Sequence, residues 1–250
     1  MSDSDHFKFS NAVLLAPLFG VLAIWSTFWL ELLNKTNFNE FGIYPRTLSG
    51  LKGVILSPFI HGSLEHLYNN TIPLAILLAA LFYFYRNIAV KVVFLGLLLS
   101  GLITWGIGRP SFHIGASGLI YLLASFIFFK GIFTKHFRLV ALSLIVVFIY
   151  GSLLWYIFPV KDGISWEGHL GGFLTGLIFA LIFDAKVPKL NKYDWEREDF
   201  NEDEDPFLKH FDADGNFIES IETDDMEKKE FVSIKYHYKR NESENSMDPD

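Results

Sequence analysis

Six stretches of this chain, near residues 11–33, 66–86, 90–108, 115–132, 138–158 and 168–185, run apolar for roughly the 20 helical residues that a bilayer core of about 30 Å demands. No other feature restricts the fold as strongly. A segment inside hydrocarbon has no water to satisfy its peptide groups, so it must bond them internally, and successive single stretches of this length do so as helices. The expected architecture is therefore an all-α membrane protein, a compact bundle of six transmembrane helices. The N-terminal "MSDSDHFKFS" is polar with one lysine, and the apolar run behind it has no A-x-A-like cleavage site, so the first stretch is expected to be a retained span rather than a signal peptide.

Charge separates the bundle from the C-terminal part of the chain. Up to Lys192 there are 14 Lys/Arg against 8 Asp/Glu; beyond it, 7 against 20. The expected division is a basic, apolar membrane domain over 1–192 and an acidic cytoplasmic tail over 193–250. Orientation is set by the charges in the connections. With the N-terminus inside, nine Lys/Arg lie inside (Lys8, Arg86, Lys91, Lys130, Lys135, Arg138, Lys186, Lys189, Lys192) against five outside (Lys35, Arg46, Lys52, Arg109, Lys161), which favours both ends cytoplasmic. Trp25, Trp29, Trp105, Trp155 and Trp166 fall near the outer ends of the segments, where interfacial aromatics gather. In the tail, "DADGN" reads as a tight turn and "FVSIKYHY" alternates with period two, consistent with a small hairpin or with a disordered acidic segment. An EF-hand is excluded, because Ile221 stands where the bidentate Glu belongs when Gly215 is placed at loop position 6.

Polar residues within the apolar segments carry the functional signal, since each is expensive in a membrane. Three groups stand out: "HGSLEHLYNN" leading into the second segment, "HIGASGLIY" opening the fourth, and "GHLGGFLTG" opening the sixth. Even-numbered segments run inward if the N-terminus is inside, so all three groups lie at the outer side at similar depth. Gly168, Gly172, Gly176 and Ala180 recur every four residues and form a ridge without side chains, along which another backbone can pack closely. The natural partner is the fourth segment, which begins Gly115-Ala116-Ser117-Gly118. That docking brings Ser117 to His169 as a hydroxyl–imidazole pair, the arrangement that activates a weak nucleophile. His66 and Asn70, four apart on one helix face, and the Ser117 N–H are suitable donors for a developing oxyanion. No Asp or Glu is evidently placed to orient His169, so a dyad fits better than a triad. Each feature alone has a plainer reading: a serine bonded to its own helix, an interfacial histidine, a packing ridge. His61 and His113 read as mainly structural, with contact with water at the entry to the fourth helix as the alternative for His113.

Other chemistries fit less well. Absence of cysteine excludes thiol catalysis and thiolate metal sites. Glu65-His66 lacks the second histidine of H-E-x-x-H, and Leu119 replaces the second glycine of G-x-S-x-G. No cofactor, no metal and no nucleic-acid partner are expected.

Together "PRTLSGLKGVILSPFIHGSLEHLYNN", "GASG" and "GHLGGFLTG", in this order on six segments, resemble the rhomboid family of intramembrane serine proteases over roughly residues 10–185. The resemblance implies Ser117 as nucleophile, His169 as general base, and His66, Asn70 and the Ser117 N–H as the oxyanion site. It implies that Tyr121, four residues after the serine, stacks on His169, and that the fourth helix is short, beginning beneath a wet cavity open to the outside. Substrates implied are single membrane-spanning helices cut near their ends at small residues, in a bacterial plasma membrane. Pro45-Arg46 departs from the Trp-Arg pair of many relatives, and the acidic tail has no counterpart in the family pattern; its partner is left open. Two other classes remain: an inactive relative that holds or escorts membrane proteins, and a transporter. The transporter predicts polar residues through the whole membrane, whereas "IPLAILLAALF" and "LIFALIF" are apolar.

Overall fold

The computed structural model describes residues 7, 9–161, 163–186, 193, 195, 197–212 and 214–218. It comprises two compact units, 1–190 and 191–250. Among the described residues, the first unit holds seven α-helices: α1 (Ala12–Asn34), α2 (Gly53–Leu56), α3 (Leu64–Phe84), α4 (Ala89–Ile107), α5 (Ser117–Thr134), α6 (Phe137–Tyr150) and α7 (Trp166–Ile182). The protein is thus an all-helical membrane protein, with each of the six expected segments present as a helix.

Four of them, α1, α3, α4 and α5, are long and apolar enough to cross a bilayer; α6 and α7 are apolar but shorter. The expectation of six full-length spans needs that correction. The fifth segment, expected over 138–158, is α-helical only to Tyr150 and then tightens into a 3₁₀ stretch over Gly151–Ile157. Glycine is the weakest helix former after proline, and it stands where the geometry changes. Most of the outward side chains of α1 and α6 are large and apolar; Phe148 is 92% exposed, as a lipid-facing residue can be without penalty.

Helix α5 is the central post. It packs on α3, α4, α6 and α7, most extensively on α7, and contributes Leu122, Leu123, Phe126 and Ile127 to the core with no exposed surface. The close approach to α7 has a direct cause. A Cβ on Gly172 would lie 2.0 Å from the carbonyl oxygen of Gly118, and one on Gly176 2.4 Å from that of Leu122. Any side chain at either position would force the two backbones apart.

The long connection before α3 contains no long helix, as its Pro and Gly content suggested; it is built from short turns and α2. Arg46 holds it in place. In a left-handed conformation at φ 56°, Arg46 directs its guanidinium to the carbonyl oxygens of Gly106 (3.2 Å) and Gly108 (2.8 Å) at the C-terminal end of α4. Those carbonyls are the unpaired, partly negative end of a helix, so a cation there both bonds and neutralises. The Trp105 indole donates to the carbonyl of Thr47 at 2.8 Å, so this tryptophan fastens the connection to α4. Trp25 likewise donates to Thr71 of α3 at 3.0 Å.

In the second unit, the expected turn at "DADGN" is present. The Asp212 carboxylate accepts from the Asn216 amide (2.8 Å) and side chain and from the Asp214 amide (3.0 Å), which holds it below the usual carboxylate range, and Gly215 takes φ +82°. Residues 231–238, expected to alternate as a strand, lie outside the described residues.

Candidate active site

Two residues 52 positions apart in sequence meet at the junction of α5 and α7. Ser117, the first residue of α5, lies with its Oγ 2.9 Å from Nε2 of His169 in the first turn of α7. The other ring nitrogen settles the proton arrangement. His169 Nδ1 is 2.9 Å from the carbonyl oxygen of Tyr156, and a carbonyl can only accept. Nδ1 therefore carries the hydrogen of the neutral ring, and Nε2 presents its lone pair to the Ser117 hydroxyl. His169 is 8% exposed, and its ring stacks on Tyr121 with centroids 4.2 Å apart and planes 9° from parallel. The stack and the carbonyl leave the imidazole little freedom to rotate.

The backbone before Ser117 is held on several sides. His113 and Ile43 exchange both backbone hydrogen bonds as an isolated antiparallel bridge. Gly115 donates to the carbonyl of Ser57 at 2.9 Å, and Ala116 donates to Nε2 of His61 at 3.4 Å. Gly115 has φ +108°, a conformation that L side chains rarely adopt, and a Cβ there would sit 2.7 Å from the His66 ring. Glycine is thus required twice over at this position. The same contact places the His66 imidazole against the turn that delivers Ser117.

His66 and Asn70 share one face of α3. Asn70 is 3% exposed, and one of its two amide hydrogens goes to the carbonyl of His66 at 2.7 Å, leaving the second available. The first-turn N–H groups of α5, that of Ser117 among them, have no carbonyl one turn back within the helix. Beside Ser117 lies a cavity of about 40 Å³ whose lining mixes Ser57, Ser100, Thr104 and Ser165 with apolar residues such as Val54 and Ile114, room enough for a water.

Several of these residues were not anticipated from sequence. Tyr156 contributes only its main chain, which leaves no mark on residue type. His113, read from sequence as mainly structural, is 4% exposed, so protein groups and not water surround it. Its Nε2 lies 3.1 Å from the Arg109 carbonyl and its Nδ1 2.6 Å from Ser165 Oγ, so it is doubly bonded inside the protein. Burial pushes its pKa down, the charge-stabilising Arg109 carbonyl notwithstanding. His61 is 2% exposed and is pushed down to about 4, first by burial and then by His66. It stays neutral, its Nδ1–H given to the Phe59 carbonyl at 3.3 Å and its Nε2 free to accept from Ala116. Glu167, two residues before His169, is 1% exposed but faces Arg109: its Oε1 accepts from the Arg109 amide at 3.1 Å. The hydrogen bond that this carboxylate makes goes to Arg109 through Oε1, and a main-chain carbonyl orients the imidazole.

Comparison with known proteins places these residues in context. The model of the Rhomboid domain matches residues 49–186. Uncharacterized proteins of Mycobacterium tuberculosis and Mycobacterium bovis are each 36% identical over 174 residues, covering 64% of this chain and 70% of theirs. An uncharacterized protein of Mycobacterium leprae is 32% identical over 174 residues, covering 64% of this chain and 67% of its own.

Proposed function

The chain belongs to the rhomboid family, the family of intramembrane serine proteases, and from that premise we propose that it is an active endopeptidase working through a Ser117–His169 dyad and an acyl-enzyme. The observation that carries the reading is the 2.9 Å approach of Ser117 Oγ to His169 Nε2, with Nδ1 engaged by the Tyr156 carbonyl. That tautomer is the one a general base needs.

In the reaction, Ser117 Oγ bonds to the scissile carbonyl carbon while its proton passes to His169 Nε2. The carbonyl π electrons move onto oxygen, where the Ser117 N–H, the His66 imidazole and the remaining Asn70 N–H stabilise them. One such donor contributes about 2.7–4 kcal/mol in a hydrolase of this kind. Collapse breaks the C–N bond, and His169 gives its proton to the departing amine. Water then attacks the ester, His169 takes its proton and returns it to Ser117. The small cavity beside Ser117 is suited to supply that water. Gly115, Gly118 and Gly172 act by allowing the approach of backbones and rings, and Tyr121 by supporting the imidazole.

Substrates are proposed to be single-span membrane proteins cut in or near their transmembrane helices, since a peptide must unwind to reach a serine at the start of α5. The location proposed is a bacterial plasma membrane with both ends cytoplasmic, on the Lys/Arg distribution. The test is cleavage of a single-span model substrate in proteoliposomes. Ser117→Ala and His169→Ala are expected to lower the rate on the order of 10⁴-fold or more. Undiminished cleavage by Ser117→Ala overturns the proposal, and an inert wild type that still retains client helices points to the escort reading instead.

A further inference from the structure

We propose that His113 and Ser165 are positioning residues, a latch that fixes the register of α5 against α7 and so the distance between Ser117 and His169; this rests on the peptidase reading above. His113 stands four residues before Ser117, and Ser165 four residues before His169. The two pairs are therefore separated by the same 52 residues and form parallel rungs between the same two chain segments, at 2.6 Å and 2.9 Å.

The proton arrangement of the latch is determined by its surroundings. His113 Nε2 faces the Arg109 carbonyl, which only accepts, so Nε2 carries the hydrogen and Nδ1 accepts. The Ser165 hydroxyl donates to Nδ1, and its lone pair accepts from the Gly168 amide at 3.3 Å, capping α7. Gly168 is the residue before His169. One continuous chain of bonds thus runs from the segment that delivers the serine to the turn that carries the histidine. A second strap lies alongside: Arg109 donates its amide to Glu167 at 3.1 Å and its guanidinium to the Ile164 carbonyl.

The reason such a latch is needed lies in the glycines. Gly118, Gly172 and Gly176 let the two backbones touch, and bare backbone has few side-chain knobs to stop one helix sliding along the other. Further along the seam Ser125 Oγ donates to the Phe173 carbonyl at 2.8 Å and Lys130 Nζ to the Ala180 carbonyl at 3.2 Å, so it is the end that carries the dyad that needs a tie of its own. Close approach and fixed register are separate requirements. A directional hydrogen bond one turn before the dyad supplies the second, and a displacement of about 1 Å at a reacting pair costs on the order of 100-fold in rate. Neither His113 nor Ser165 bonds to Ser117 or His169 in this arrangement; both line the cavity beside Ser117, and labelling of Ser117 by a fluorophosphonate, which needs no water, reads the register alone.

The experiment uses Ser165→Gly and Ser165→Thr in the full chain. Glycine caps a helix nearly as well as serine but has no hydroxyl; threonine keeps both functions. Ser165→Gly is expected to lower kcat by about 10-fold or more with KM within about twofold, to slow fluorophosphonate labelling of Ser117 by the same factor, and to lower the thermal midpoint only by the loss of one buried hydrogen bond, with the protein still folded at the assay temperature. Ser165→Thr is expected to restore the rate. Wild-type rates in Ser165→Gly, a loss confined to KM, a loss that tracks unfolding, or no rescue by threonine overturns the latch while leaving the peptidase reading intact. A wild type inert to the probe overturns the peptidase reading instead. Independently of activity, ¹⁵N NMR of the histidines, with His113 assigned by difference against His113→Gln, is expected to find its Nδ1 unprotonated; a protonated Nδ1 overturns the latch.

Discussion

At the residue scale the chemistry depends on which nitrogen of each histidine holds a hydrogen, and main-chain groups decide it. His169 is oriented by the Tyr156 carbonyl, and His61 by Phe59 on one side and the Ala116 amide on the other. His61 gives a testable pH dependence. Its folded pKa, near 4, lies below its ordinary value of 6.5, so between those values the unfolded chain binds the more protons. The stabilisation from His61 is therefore complete above pH 6.5 and is lost as pH falls toward 4. Thermal unfolding in detergent is expected to drop over that window, less steeply in His61→Gln; equal slopes for the two proteins count against it. At neutral pH, His61→Ala leaves the buried Ala116 amide without its partner, which is expected to destabilise by about 1–3 kcal/mol. Ser117, His169, His66 and Asn70 could be picked out in the sequence because their types and spacings are unusual in apolar segments, whereas Tyr121 came only from the resemblance to the rhomboid family. Tyr156 could not, since any residue offers a carbonyl. His113 was visible, but its burial was not: a histidine just before a helix carries no sign of whether water or Ser165 will meet it.

At the element scale the glycines of α7 distinguish contact from vacancy. A methyl on Gly172 meets the Gly118 carbonyl at 2.0 Å, whereas Gly106 of α4 has nothing within 4 Å of such a group. Gly172→Ala is expected to destabilise by about 1–3 kcal/mol or more and to abolish cleavage as α5 is pushed off α7. Gly106→Ala is expected to stabilise by up to about 1 kcal/mol through helix propensity, with cleavage retained. Thermal midpoints and cleavage rates of the two variants check this, and similar behaviour contradicts it. The ridge was legible because four-residue spacing in a helix is a geometric statement. The early end of α6 was not, because "GSLLWYI" continues the apolar run of the helix before it, and a shift from α to 3₁₀ geometry changes bonding without breaking such a run.

At the scale of the whole molecule, a membrane unit carrying every group proposed for the chemistry is followed by an acidic unit with its own turn at Asp212. All bonds described around Ser117 and His169 lie within residues 1–190. A chain ending at Lys192 is therefore expected to retain cleavage of a model substrate, with the tail acting on regulation or partners; loss of activity in that truncation assigns the tail a part in the reaction. The central claim, that Ser117 is a nucleophile activated by His169, is tested most directly by peptide mapping after a fluorophosphonate is added to the detergent-solubilised protein. The account predicts an adduct on Ser117 in the wild type, none in Ser117→Ala and almost none in His169→Ala. An unmodified Ser117 in folded wild-type protein, or equal labelling when His169 is replaced, would contradict it.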